Sequence, residues 1–109
     1  MDPRQKLYCV TRQDLSSGAQ AIQCGHALVE FGFAFPEVFK LWYEKSNYLC
    51  YLSVKDEEAL KALLHEAKSR EIPFKCFYEP DFDNALTAVA FSPMLETRRL
   101  VSGLPLALK

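Results

Sequence analysis

The stretch TRQDLSSGAQAIQCGHALVEF (residues 11–31) decides the fold, because it leads from an apolar strand through a short polar turn into a long amphipathic helix. The residues KLYCVTR (6–12) are rich in strand formers and predict a buried strand. DLSSG (14–18) is typical of a turn, and either of its serines is suited to cap a helix over residues 18–33. A buried strand followed at once by a helix predicts an α/β protein.

The helix carries two different stripes of side chains. One is mainly apolar and predicts contact with the core, and its neighbour begins with two glutamines. The apolar stripe is Ala19, Ile22, His26, Val29 and Phe33, and the neighbouring stripe is Gln20, Gln23, Ala27 and Glu30. Gln20, Gln23 and His26 are successive i, i+3 neighbours, so all three can reach a ligand over the start of the helix. The alternative is that the glutamines are solvated and His26 is a partly buried structural residue.

Periodicity along the rest of the chain predicts three more strands and three more helices. Long helical crossovers join the first three strands, which should therefore run parallel, and a seven-residue connection favours an antiparallel fourth strand. The fold class is α/β, a three-layer α/β/α sandwich with a mixed four-stranded sheet, in a single domain over residues 1–109. The further elements are helices at 36–45, 56–70 and 92–103, strands at 48–54, 73–78 and 86–91, and an apolar tail at 104–109 that should dock.

Composition narrows the class of protein. The net charge of −1 excludes a global basic field for nucleic acid, although a local patch stays open. No apolar run approaches the roughly 20 residues of a membrane span, and nothing resembles a signal peptide, so we expect a cytoplasmic protein without a membrane partner. The cysteines are too widely spaced for a zinc site, and we expect no metal and reduced core thiols. They are Cys9, Cys24, Cys50 and Cys76.

The turn before the first helix has the features of an anion site. Free backbone N–H groups and the positive end of the helix point into the space beyond the strand. Arg12 adds a cation, and Gly18 permits close approach of a ligand to the backbone. The alternative is that Arg12 simply pairs with Asp14.

The segment EPDFDN (79–84) holds three carboxylates within five residues, at Glu79, Asp81 and Asp83. If two of them share a cleft, repulsion and partial burial raise one pKa, as a general base requires. The alternative is a solvated acidic turn, which Asp and Asn also favour.

Thr87 lies in the fourth predicted strand, LTAVAF (86–91). Strand alternation places it on the opposite face from Leu86 and Ala88, where its hydroxyl could point into the cleft. In open α/β sheets ligands bind beyond the carboxyl ends of the parallel strands, so we expect the turn at 12–18 and the acidic segment to meet at one edge.

These segments resemble the type II peptidyl-tRNA hydrolase family. An R-x-D-L turn, a glycine, and a helix with A-x-Q-x-x-H-A carry the likeness, and the strand LTAVAFSP (86–93) resembles that family's T-x-L-A-x-G-P strand. The order of elements agrees as well, so the resemblance spans nearly the whole chain. The residues of the first motif are Arg12, Asp14, Leu15, Gly18, Ala21, Gln23, His26 and Ala27.

The resemblance implies hydrolysis of the ester between a peptide and the 3′ ribose of tRNA, with no metal or organic cofactor. Asp81 matches the family's aspartate, and it would activate water directly or through Thr87. Backbone N–H groups around the turn would face phosphate or an oxyanion. The expected residues are, as catalytic candidates, Asp81, Thr87 and His26, and, for substrate binding, Arg12, Asp14, Gly18, Gln20 and Gln23.

Two departures from the family pattern keep other functions open. Ala19 stands where the family has a lysine, and the connection after Asp81 is shorter than the family's loop. The expected partner is peptidyl-tRNA or a related RNA 3′ end, and a second copy of the chain is left open. The alternatives are a non-catalytic module that binds tRNA or protein, and an enzyme acting on another small substrate. If the residues line a cleft, His26→Ala and Gln23→Ala should impair ligand handling and leave folding largely intact.

Overall fold

A mixed four-stranded sheet separates two helical layers in the computed structural model, which describes residues 2–109. The strand order is β2-β1-β4-β3. The strands are β1 (Lys6–Arg12), β2 (Tyr48–Val54), β3 (Phe74–Glu79) and β4 (Ala85–Phe91). The helices are α1 (Ser17–Ala34), α2 (Pro36–Lys45), α3 (Glu57–Ser69) and α4 (Leu95–Val101), and a 3₁₀ turn covers Pro80–Phe82. The predicted fold class is therefore confirmed.

The strand directions place three carboxyl ends at one edge of the sheet. β1 and β2 pair in parallel, and β4 lies between β1 and β3 and is antiparallel to both. β3 consequently runs in the same direction as β1 without touching it. The ends of β1, β2 and β3 meet the start of β4 at this edge, which we call the carboxyl edge.

Each face of the sheet has its own hydrophobic core. On one face α1 and α2 cover Leu7, Cys9 and Ala88 with Phe31 and Trp42. The other core, under α3 and α4, is formed by Val10, Leu52, Leu60, Val89, Phe91 and Val101, among others. The sheet is thus buried on both sides, which explains why β4 reads as a continuous apolar run.

The predicted packing face of α1 is wrong. The apolar stripe is largely turned to solvent, with Ile22 59%, Val29 57% and Phe33 85% exposed. The buried face instead contains the neighbouring stripe, namely Gln20, Gln23, Cys24, Ala27 and Phe31. Glutamine tolerates this position because each buried amide is hydrogen-bonded by the fold, which offsets the cost of its desolvation.

The ends of the chain's elements differ modestly from the sequence expectation. The last helix begins at Leu95 rather than at Ser92, and β4 begins at Ala85. The tail docks as expected: Leu106 forms an antiparallel bridge with Leu52 along the outer edge of β2. Among residues 2–109, no helix is long and apolar enough to cross a bilayer.

Candidate active site

At the carboxyl edge, α1 contacts the end of β3 through the side chain of Gln23. Nε2 of Gln23, on α1, donates a hydrogen bond to Oε1 of Glu79 at 2.9 Å. These residues are 56 positions apart in sequence, and their hydrogen bond joins α1 to the end of β3. The amide at the helix start is therefore a bridge to the acidic segment.

A chain of hydrogen bonds continues from this amide into the sheet. The hydroxyl of Thr87 donates to Oε1 of Gln23 at 2.5 Å, and it also lies 3.3 Å from the carbonyl of Phe77. The hydroxyl of Thr11 donates to the carbonyl of Thr87 at 2.8 Å. Thr11 and Thr87 are fully buried, so the network fixes the position of Glu79 from inside the protein.

A β-bulge determines where Thr87 points. Phe77 pairs with Ala88 and Tyr78 with Leu86, so Thr87 is an extra residue in β4. Thr87 contacts α1, and Ala88 packs in the core on the same face, whereas Leu86 packs on the α3 face. The expectation that Thr87 and Ala88 lie on opposite faces is therefore wrong, because the extra residue shifts the alternation.

The three carboxylates of the acidic segment have different surroundings. The pKa of Glu79 is lowered, first by the hydrogen bond from Gln23 and also by the N–H of Asp81 and the nearby His26. The expected rise in pKa does not occur at this residue, because hydrogen-bond donors outweigh burial. Asp81 and Asp83 are exposed on the 3₁₀ turn and just after it. Asp83 and Asn84 both adopt positive φ, which these residue types tolerate, and this allows the tight return into β4.

Arg12 is paired, as the alternative reading of the sequence proposed. Its guanidinium contacts Asp14 at 3.0 and 2.9 Å and donates to the carbonyl of Leu86 at 3.0 Å. This two-point contact raises the pKa of Arg12 and lowers that of Asp14. A second contact at the same place comes from Glu57, whose carboxylate accepts the N–H of Leu86 at 2.8 Å.

The start of α1 is built mainly for folding. The hydroxyl of Ser16 accepts the N–H of Ala19 at 3.2 Å and caps the helix. The amide of Gln20 donates to the carbonyl of Leu15 and accepts the N–H of Leu108, each at 2.8 Å. Gly18 is exposed, and apart from its chain neighbours and the adjoining helix backbone no atom lies within 4 Å of the point that a Cβ would take. The space over the helix start is therefore open to a ligand.

His26 lies exposed against an aromatic ring at the same edge. Its imidazole stacks on Phe77 with 4.3 Å between ring centroids and 8° between planes. Sequence reasoning missed Phe77 and Thr11, since each reads as an ordinary strand residue. It named Glu79 only as one of three acidic residues. An i, i+3 pairing of Gln23 and His26 does indicate that partners for both would lie on one neighbouring strand.

Within residues 2–109, no group of three or more His, Cys, Asp or Glu side chains is placed to hold a metal ion. Burial raises the pKa of Cys24 to about 12 and that of Cys9 well above its usual range. Both thiols are therefore protonated near neutral pH.

The fold and this edge define an α/β sandwich with a hydrogen-bonded group of polar side chains at the ends of three strands. The profile of the family described as peptidyl-tRNA hydrolase PTH2 matches residues 5–101, and the chain belongs to this family. A comparison with curated proteins finds no match. Among solved structures, one similar chain is a protein of unknown function from Agrobacterium tumefaciens, with 14% sequence identity and a TM-score of 0.69. The alignment covers 97% of this chain and 98% of that one. That likeness supports the fold alone.

Proposed function

We propose that the chain hydrolyses the ester bond that joins a peptide to the 3′ end of tRNA. The observation that carries the proposal is the family match over residues 5–101, which includes all the candidate catalytic and substrate-binding residues. The exposed Asp81 supplies a carboxylate at this edge, beside a network that holds the adjoining turn in place.

In the proposed reaction Asp81 activates water. The water oxygen forms a bond to the ester carbonyl carbon, the bond to the ribose oxygen breaks, and the proton ends on that ribose oxygen. The N–H of Asp81 donates to Oε2 of Glu79 at 3.3 Å, which helps to orient the turn. A direct role for Asp81 is favoured over a relay through Thr87, because the buried Thr87 hydroxyl is already bonded to Gln23.

The positions of the remaining candidate residues determine the roles that we propose for them. In this proposal His26 contacts the substrate near the ester, and its exposure on the Phe77 ring supports that role. Gln23 and Thr87 are positioning residues, because their polar groups bond within the protein. Gly18 and the N–H groups of the first turn of α1 would face phosphate. The guanidinium of Arg12 is neutralised in part by Asp14 and would be a weaker phosphate ligand than a free arginine.

A second function, a binding module without turnover, is favoured by one observation. Ala19 occupies the position of the family's lysine, and Arg12, the nearest candidate to replace that cation, is held by Asp14 at 2.9 Å. Without a free cation, the developing oxyanion loses one source of stabilisation.

The test is release of tRNA from an N-blocked aminoacyl-tRNA. Asp81→Asn should lower the rate by about 100-fold or more, as expected for loss of a general base. Asp83→Asn is the matched control, since this exposed carboxylate lies two residues further along and should leave the rate unchanged. Equal activity of wild type and Asp81→Asn would reject the catalytic assignment.

The same assay separates the two functions. If the wild type shows no turnover but binds tRNA in a salt-dependent manner, and Ala19→Lys restores hydrolysis, then the binding module is correct. If no variant hydrolyses or binds the substrate, both functions are wrong for this chain.

A further inference from the structure

A cavity of about 320 Å³ lies at the opposite end of β1 from the candidate active site. It opens between residues 2–6 and the start of α4. Lys6 begins β1 and lines this cavity, whereas Arg12 ends β1 at the carboxyl edge. A seven-residue strand spans roughly 20 Å, so the two sites are separate.

The wall of the cavity carries more positive than negative charge. Arg4, Lys6 and Arg98 line it, together with the carboxylate of Asp2. Arg4 is paired with Asp2 at 3.3 Å. Lys6 and Arg98 form no ion pair with any residue between 2 and 109. Two unpaired cations thus face one concavity, and low-dielectric walls strengthen their attraction for an anion.

The floor of the same cavity is apolar. Tyr8 and Met94 line it, and both pack against the hydrophobic core under α3 and α4. Their positions are therefore fixed by packing rather than by the ligand. A tyrosine ring offers a face on which a flat aromatic group can stack.

We propose that this cavity binds a nucleoside monophosphate. The doubly charged phosphate would lie between Lys6 and Arg98, and the base would pack against Tyr8 and Met94. The guanidinium fork of Arg98 suits the geometry of phosphate oxygens. A cavity of about 320 Å³ is at the lower end of the usual range for small-molecule sites, about 300–1,000 Å³, which favours one nucleotide over a longer chain.

Calorimetric titration with adenosine 5′-monophosphate at low salt tests the proposal. Arg98→Gln should weaken binding by about tenfold or more, because a charged hydrogen bond to phosphate is lost. Arg99→Gln is the matched control: Arg99 is the next residue of α4, is also exposed, and pairs with Glu96 at 2.9 Å outside the cavity. Lys6→Gln provides a second variant on the strand side.

Several results would overturn the proposal. These are absence of binding in the millimolar range, equal binding by Arg98→Gln and wild type, and an equal loss in Arg98→Gln and Arg99→Gln. Inorganic phosphate binding as tightly as the nucleotide would also overturn it, because the apolar floor would then contribute nothing. The thermal unfolding of each variant verifies the fold. Hydrolysis of peptidyl-tRNA should not change in Arg98→Gln, so failure here is distinguishable from failure of the proposed function.

Discussion

The hydroxyl of Thr87 donates to the side-chain oxygen of Gln23 at 2.5 Å, with both residues buried between β4 and α1. The other half of the same amide holds Glu79. Since the buried hydroxyl and amide cannot exchange these bonds for water, removing one partner leaves the other unsatisfied. The two residues therefore link the stability of the sheet to the geometry of the acidic segment.

Thr87→Val should lower the free energy of unfolding by about 1–3 kcal/mol, because a buried amide oxygen loses its donor while the side-chain volume hardly changes. Urea denaturation measures the loss. Thr87→Ser, which keeps the hydroxyl, should lose less. A valine variant as stable as wild type would show that the hydrogen bond is not important to the fold.

Protonation of Glu79 at acid pH should lower the free energy of unfolding. Its pKa lies below the ordinary 4.5, chiefly because Gln23 donates to it, so folding favours the ionised form. The stabilisation is complete above about pH 4.5 and is lost as the pH falls through the lower folded-state value. The difference in unfolding free energy between wild type and Glu79→Gln should therefore shrink on acidification. Acid contributions from Asp14 are common to both proteins and cancel. A difference independent of pH would contradict the assignment.

Gly18 and Gly25 form a matched pair for testing ligand approach to α1. Apart from chain neighbours and the adjoining helix backbone, neither has an atom within 4 Å of the point that a Cβ would take. Gly25→Ala should stabilise the protein by about 0.5–1 kcal/mol, and Gly18→Ala by less because it lies in the first turn. If a ligand approaches the backbone at the helix start, only Gly18→Ala should weaken tRNA binding. Equal affinities in a filter-binding assay would place the ligand elsewhere.

The carboxylate of Asp14 should lower the affinity of the protein for anions. Asp14→Asn removes the carboxylate that holds Arg12 at 2.9 Å and should raise tRNA affinity at low salt. One additional phosphate contact should steepen the dependence of log affinity on log salt by about 0.7–0.9. Glu37→Gln makes the same charge change on the exposed start of α2 and should have a much smaller effect.

The sequence predicted the elements well because strands and helices differ in apolar period, and the caps at Ser16 and Asp56 accept the expected N–H groups. It did not predict that β4 lies between β1 and β3, since an apolar run does not specify its neighbours. The bulge at Thr87 could not be predicted from the sequence for a similar reason. Both faces of LTAVAF are buried, so an extra residue leaves no mark on the pattern.

The orientation of α1 was missed because each of its buried glutamines has a partner far away in the sequence. Gln20 bonds to Leu108, 88 residues away, and Gln23 bonds to Thr87, 64 residues away. A polar side chain is predicted to face solvent unless such partners are known. Because Gln23 is bonded within the protein and His26 is exposed, the variants Gln23→Ala and His26→Ala should no longer behave alike. Gln23→Ala should now destabilise the fold, whereas His26→Ala removes only an exposed stacking contact.

The docked tail gives the sheet a protected border. β2 is an outer strand, and an outer strand with free backbone groups can pair with another molecule and start aggregation. Pro105 and Ala107 bond with Ser53 and Tyr51 of that strand, and the amide of Gln20 fastens the following residue. The side chain of Gln20 thereby helps to keep the outer edge of β2 covered. This prevents that edge from pairing with a strand of another molecule, and so favours solubility.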